Sequence, residues 1–344
     1  MPFTQFQMTA ELRTAPDVVR RQEEQPLTGV LSALVARLRR KPPQVVVTCA
    51  RGSSAHAATF GKHLIERYLG IVVAAAAPSI ATIYHQRLNL NGQFFLAISQ
   101  SGRSGDLIEQ AVAARQSRAV TACITNDAGS ELAQRCEFVL PMEAGPELSI
   151  PATKTFIASL SVLARLTALW AEQEALASAL RRLPDRLAAS IELDWSNLIG
   201  VLTGAESLVT IGRGPTLAIA REAALKLKET SGLHAEAFSA AEFQHGPIAL
   251  VSPNYPIVIF TPTDAAAAGT NQLAHNLRAK GTALFATGSN VASPGQLETL
   301  APDQPETDAI CQIQSFYGMV VRLAAARGVN VDEPRHLQKI TRTR

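Results

Sequence analysis

The feature that most constrains this chain is an internal repeat. Val45-Val46-Val47-Thr48-Cys49-Ala50-Arg51-Gly52-Ser53-Ser54 lines up with Ser207-Leu208-Val209-Thr210-Ile211-Gly212-Arg213-Gly214-Pro215-Thr216, an offset of 162 positions (45 to 207). Phe95-Leu96-Ala97-Ile98-Ser99 falls on Ile257-Val258-Ile259-Phe260-Thr261 at the same offset, and residues 120–125 fall on 282–287. Each run is short, apolar and rich in β-formers, ends in small polar residues, and is followed by a helix-like stretch. That is the pattern of buried parallel strands joined by helical crossovers. The fold class expected is α/β, with two tandem doubly wound parallel-sheet domains related by the repeat. The boundaries expected are an N-terminal helical segment over 1–32, domains over 33–170 and 199–333, linker helices over 171–198 and a C-terminal tail over 334–344. The linker is rich in Ala, Leu, Glu and Arg around Pro184. In sheets of this kind ligands bind beyond the carboxyl ends of the strands. Chemistry is therefore expected just after Cys49, Ile98, Ile211 and Phe260.

Composition narrows the function classes. With 47% apolar and 18% charged residues the chain can bury a core, and a net charge of +3 leaves no basic stripe for nucleic acid. Arg37, Arg39, Arg40 and Lys41 are the densest basic cluster, at an expected helix end where cations favour the dipole. The four cysteines show no metal spacing, and Cys49, Cys123 and Cys311 sit among apolar neighbours. No apolar run approaches the roughly 18 residues of a membrane span, and residues 1–21 have no signal-peptide core. A soluble, cytoplasmic protein with no metal is expected.

One loop stands out. Ser99-Gln100-Ser101-Gly102-Arg103-Ser104-Gly105-Asp106 follows a strand and opens a helix expected over 107–115. Three hydroxyls, an amide and two glycines gather where backbone N–H groups point outward and the helix dipole favours an anion. An ordinary capped turn needs only one or two such residues, so the concentration points to a phosphate pocket. Arg51-Gly52-Ser53-Ser54 is the other polar strand-end loop of the same domain. The counterparts in the second half, residues 212–216 and 261–263, place Pro215 and Pro262 where N–H donors are needed. One half reads as a binder and the other as a degenerate copy. The chain lacks a P-loop motif, and the dinucleotide fingerprint begun by Gly212 and Gly214 fails at Leu217.

A helix is expected from Ala218 to Ser231, stopped by Gly232. Glu222, Lys226 and Glu229 share one stripe of it, with Ala220, Ala223, Ala224 and Leu227 opposite. Periodicity alone fits a solvated, ion-paired face. Two histidines, His234 and His245, follow within two dozen residues, together with Glu236 and Glu242. His56, His63 and His275 fall in helical patterns and read as surface or packing residues.

These residues also match a family. Ser99-Gln100-Ser101-Gly102, Ala152-Thr153-Lys154-Thr155-Phe156, Leu225-Lys226-Leu227-Lys228-Glu229, His234-Ala235-Glu236-Ala237, His245-Gly246-Pro247 and Pro334-Arg335-His336-Leu337-Gln338-Lys339 occur in order from about Met8 to the C-terminus. In motif and spacing they resemble the double sugar-isomerase (SIS) family, as in the isomerase half of glucosamine-6-phosphate synthase. The resemblance implies flavodoxin-like SIS domains and a small-molecule partner, a hexosamine or hexose 6-phosphate, with no cofactor. It implies substrate binding by Gly52, Ser53, Ser54, Ser99, Gln100, Ser101, Ser104 and Ile150. Glu229 would be the base that moves a proton between C1 and C2, supported by Lys226. His245 would assist ring opening from a partner subunit, which implies a homodimer with shared sites. Lys339 would form an imine with the ketose or position the tail.

The departures from the family pattern shape the expected reaction. The synthase carries an N-terminal glutaminase with a cysteine nucleophile, whereas here no cysteine precedes Cys49. Arg51, Arg103 and Gln338 stand where the synthase has cysteine, glutamate and alanine. Without ammonia from glutamine, the reversible amination is expected to run towards ketose. Glu11-Leu12 and Pro16-Asp17-Val18-Val19-Arg20-Arg21-Gln22 also resemble stand-alone isomerising glucosamine-6-phosphate deaminases. The expected function is conversion of glucosamine-6-phosphate to fructose-6-phosphate and ammonia. Alternatives are a galactosamine-6-phosphate deaminase, an ammonia-dependent synthase and a fructosamine-phosphate deglycase. A non-catalytic phosphosugar sensor is the alternative of another class; it predicts a DNA-binding segment and a missing base, and Glu229 is present.

Overall fold

The repeated apolar runs are strands, and they pair only in parallel. A computed structural model describes residues 6–288 and 295–339. The first five residues of the N-terminal segment and the last five of the tail, with Arg342 and Arg344, lie outside the described residues. The chain divides into two compact units, one of residues 17–147, 154–181 and 338–344 and the other of residues 1–16, 148–153 and 182–337.

The first unit holds β1 (Val45–Ala50), β2 (Val72–Ala75), β3 (Phe94–Ile98), β4 (Val120–Thr125) and β5 (Phe138–Pro141). Their order across the sheet is β2-β1-β3-β4-β5, all parallel, with Val47 opposite Phe95 and Cys49 opposite Ala97. β3 and β4 are buried along their whole length, as central strands covered on both faces must be. The helix Gly52–Leu69 returns the chain from β1 to β2 and packs on the helix Lys154–Trp170. Gly61 makes that contact possible, because a Cβ there would lie 2.9 Å from a Leu163 methyl.

The second unit holds β6 (Ser207–Gly212), β7 (His234–Ser239), β8 (Pro256–Phe260), β9 (Ala283–Thr287) and β10 (Gln296–Leu297). Its order is β10-β9-β8-β6-β7, again all parallel, so the second sheet repeats the first strand for strand. The helix Thr216–Ser231 connects β6 to β7 and packs against the long helix Pro305–Ala326. Pro305–Ala326 is long and apolar enough to cross a membrane, but 83% of its apolar window is buried. It is a core helix. The length of this run corrects the expectation that no segment approaches membrane-spanning length. Fully buried side chains such as Phe94, Phe95, Phe260 and Phe316 each contribute about 1.5–3 kcal/mol.

All four cysteines are free and buried. Burial pushes the Cys49 thiol up to about 12, with Asp106 adding to the shift and Arg51 opposing it. A thiol held that high supplies no thiolate at neutral pH.

Candidate functional sites

In each unit the strand order reverses between the first and third strands, and the loops there are candidate sites. In the first unit these are the loops after β1 and β3. Ser99 is buried at the end of β3, where its hydroxyl accepts from the Gly102 N–H at 3.1 Å. The Ser101 hydroxyl accepts from the Arg103 N–H at 3.3 Å. Gly102 turns the loop with φ +63, and a Cβ there would fall 2.1 Å from the Ser130 hydroxyl, so only glycine fits. Ser104 is the extended N-cap residue of the helix Gly105–Gln116, with no capping bond from its side chain. The helix begins two residues earlier than the sequence suggested. Gln100, Ser101, Ser104, Ser53 and Ser54 are half-buried, and Gly52 is exposed at the start of its helix.

Two arginines frame this loop. Arg51 donates to the buried Asp106 carboxylate from Nε at 3.0 Å and from Nη2 at 2.9 Å. A carboxylate in the first turn of a helix competes with a bound anion, and Arg51 offsets that charge. Arg103 reaches Asp127 at 3.2 Å across exposed surface.

In the second unit the helix Thr216–Ser231 ends where Gly232 takes the left-handed conformation at φ 63. Its charged stripe does not face water. Glu222 is fully buried and Lys226 is 1% exposed, which corrects the solvated-face reading from periodicity. The Tyr317 hydroxyl donates to Glu222 at 3.2 Å, and the Lys226 ammonium lies 3.4 Å from the same carboxylate. Lys226 also donates to Glu229. Burial is the largest influence on Lys226 and pulls its ammonium down, but Glu222 and Glu229 together outweigh it and hold the group above the ordinary lysine value. Glu229 alone of the three is partly open, with 19% of its side chain exposed. It lines a cavity of about 760 Å³ together with Lys228, Ser231, Arg327 and Arg335.

The remaining expected residues lie elsewhere. His245 is exposed at the end of the 3-10 turn Glu242–Gln244, just before Gly246 at φ 125. Ile150 is half-buried in the 148–153 segment, whose start is held by the buried Glu11 carboxylate through the Leu148 and Ser149 N–H groups. Lys339 donates to the buried Glu147 carboxylate at 3.0 Å. Glu147 also accepts from the Thr155 N–H at 3.1 Å and the Thr155 hydroxyl at 2.7 Å.

Glu147, the burial of Asp106 beside Arg51 and the burial of Glu222 escaped sequence reasoning. A lone carboxylate after Gly145-Pro146 carries no periodic signal. The one available hint was that Glu147 lies shortly before the Ala152-Thr153-Lys154 motif.

Residues 40–169 and 201–327 match the SIS domain family. The isomerizing glutamine–fructose-6-phosphate aminotransferase of Symbiobacterium thermophilum is 34% identical over 337 residues, which cover 90% of this chain and 52% of that protein. The chain spans about half the length of the curated relatives it matches. A solved structure described as a phosphosugar isomerase from Silicibacter pomeroyi DSS-3 is 39% identical, with a TM-score of 0.91 over 95% of this chain and 100% of that one. A glucosamine-6-phosphate deaminase from Thermotoga maritima shares the fold at 20% identity, with a TM-score of 0.76 over 98% of this chain and 100% of that one.

Proposed function

The chain belongs to the two-SIS-domain phosphosugar isomerase family, and on that premise we propose that it interconverts a hexosamine 6-phosphate and a ketose 6-phosphate. The finer reading is the deaminating direction, glucosamine-6-phosphate to fructose-6-phosphate and ammonia. The observation that carries the chemistry is the buried Lys226, held between Glu222 and Glu229 with only Glu229 open to a cavity. Proton transfer between adjacent sugar carbons needs one carboxylate of fixed orientation and a neighbour that stabilises its charged form. Glu229 takes the proton from C2 of the open-chain amino sugar and returns it to C1. The resulting C2 imine is hydrolysed by water, which releases ammonia and leaves the ketose.

The serine loop after β3, with Gly52, Ser53 and Ser54 after β1, receives the phosphate. The helix start that Ser104 leaves without a side-chain cap, and Arg51, which offsets the Asp106 charge there, support that assignment. His245 opens the sugar ring from a partner subunit, a role compatible with its exposure. Lys339, paired with Glu147 in this structure, supplies the tail amine, and Ile150 contacts the sugar.

Two measurements test the proposal. Ammonia release is followed across glucosamine, galactosamine and mannosamine 6-phosphates, with the ketose 6-phosphate product assayed in parallel. Release from glucosamine-6-phosphate with one equivalent of fructose-6-phosphate is expected, and added ammonia should drive the reaction backward. Isomerisation of amine-free aldose phosphates, with no ammonia released from any of the three amino sugars, would retain the proton transfer and overturn the deamination. Mixing a Glu229→Gln chain with a His245→Ala chain should restore activity if the site is shared between subunits. Verified subunit exchange with no recovery would overturn the shared site.

A further inference from the structure

The cavity at the carboxyl ends of β8, β9 and β10 belongs to no role given above. It measures about 460 Å³, within the range of about 300–1,000 Å³ typical of small-molecule sites, and lies wholly within the second unit. Its wall comes from residues after β8, from the helix Ala267–Ala279, from residues after β10 and from the helices Glu174–Ile191 and Pro305–Ala326.

We propose that this cavity is a second ligand site, one that takes a monosaccharide-sized polyol carrying no phosphate. Three buried polar atoms of its lining have no hydrogen-bond partner: Arg186 Nε, Thr261 Oγ1 and Gln312 Oε1. Thr261 and Gln312 are each 5% exposed. Gln312 is oriented by its amide nitrogen, which donates to the Thr261 carbonyl at 2.9 Å and leaves the oxygen for the cavity. One of the three atoms can only donate, one can only accept and one can do both. Buried polar atoms are rarely left unpaired, because the desolvation is not recovered. A ligand bearing several hydroxyls can satisfy all three.

Phosphate does not fit. Pro262 lacks the N–H that a phosphate-binding loop needs. The start of the helix Ala267–Ala279 is already occupied by Asp264, whose carboxylate accepts from the Ala266 N–H at 3.0 Å. The one cation in the described lining, Arg186, is neutralised by Asp308 at 2.7 Å, and Glu298 adds another carboxylate. Nor does a nucleobase fit, since none of the described lining residues is aromatic and a base has no platform to stack on. The inference rests on this unit's own geometry and stands apart from the role given to Glu229.

Ligand-observed NMR and calorimetry on the full chain test it, with D-glucose, D-glucosamine, D-fructose and N-acetyl-D-glucosamine as probes and inorganic phosphate as competitor. At least one sugar should bind saturably and be unaffected by phosphate. Binding should survive in a Ser99→Ala/Ser101→Ala chain, in which the first-unit loop is disabled. Thr261→Val, which removes the hydroxyl at constant shape, should weaken binding about three- to tenfold. Ala267→Phe, which adds a ring to the lining and deletes no hydrogen bond, should abolish it, with a melting curve confirming the fold. The proposal is overturned if no probe binds at millimolar concentration. It is equally overturned if phosphate displaces the sugar, if the Ser99→Ala/Ser101→Ala chain loses binding, or if Ala267→Phe folds and binds normally.

Discussion

The two units are copies that differ in their strand-end loops and along one helix face, and the repeat offset of 162 pairs their first four strands residue by residue. Phe60 and Leu64 of the helix Gly52–Leu69 correspond to Glu222 and Lys226 of the helix Thr216–Ser231, and all four are 0 or 1% exposed. Both helices end in a left-handed glycine, Gly70 and Gly232. The frame is the same, but one copy buries a greasy stripe and the other buries an ion pair.

The loops diverge in the opposite direction. Ser54 is half-buried beside its strand end, whereas its partner Thr216 is fully buried and donates to the Phe260 carbonyl at 2.6 Å. Gly212 permits this, since a Cβ there would sit 2.2 Å from the Thr216 carbonyl oxygen. Gln100 and Gly102 become Pro262 and Asp264, which remove an N–H and fill a helix start. A duplicated sheet keeps its strands because burial demands them. Its loops and one helix face were free to diverge, one copy towards a serine-rich loop and the other towards a buried ion pair.

The largest expected effect attacks the helix comparison. Lys226→Leu installs the first unit's residue but strands Glu222 in the core, and breaking such a pair costs about 3–5 kcal/mol. Glu222→Leu combined with Lys226→Leu copies the apolar stripe and should recover part of that loss while remaining inactive. Urea melts of the three chains decide the matter, and a harmless single variant would contradict the buried pairing. The sign of the pH dependence follows from the raised Lys226 value. Its stabilisation is complete below the ordinary lysine value of 10.5 and is lost as pH rises through the higher folded value. Melting temperature measured above that pH should fall more steeply for the native chain than for the double variant.

Next in size is Glu229→Gln, which keeps shape and hydrogen bonding but removes the base. Turnover should drop at least about 10²-fold, close to 2.7 kcal/mol, with the KM for sugar phosphate little changed. A near-native kcat would remove Glu229 from the chemistry. Ser101→Ala should weaken sugar-phosphate binding by about 1.5–3 kcal/mol, the scale of one hydrogen bond to a charged acceptor. Equal calorimetric affinities of the variant and the native chain would take the first-unit loop out of phosphate binding. The smallest expected effect is none. Pro262→Gln returns the missing N–H to the second unit, yet phosphate should still not bind there, because Asp264 holds the helix start. Phosphate binding gained by this variant alone would show that the proline was the whole difference between the two loops.

Sequence alone determined the duplicated framework. The offset, the continuous apolar runs and the stop at Gly232 place β1, β3, β6, β8 and the helix Thr216–Ser231 nearly to the residue, since burial and backbone conformation are local demands on side-chain type. The serine loop was legible for the same reason, its donors being concentrated in eight consecutive residues. What sequence could not decide was which charges are buried. Amphipathic spacing puts Glu222 and Lys226 in water. Only the packing of the helix Pro305–Ala326, which brings Tyr317 to Glu222 from 95 residues away, shows that they are core. Arg51 with Asp106, 55 residues apart, and Lys339 with Glu147, 192 apart, belong to the same class. A charge is stable in the interior only beside a partner, and partners so distant in the chain are chosen by tertiary structure.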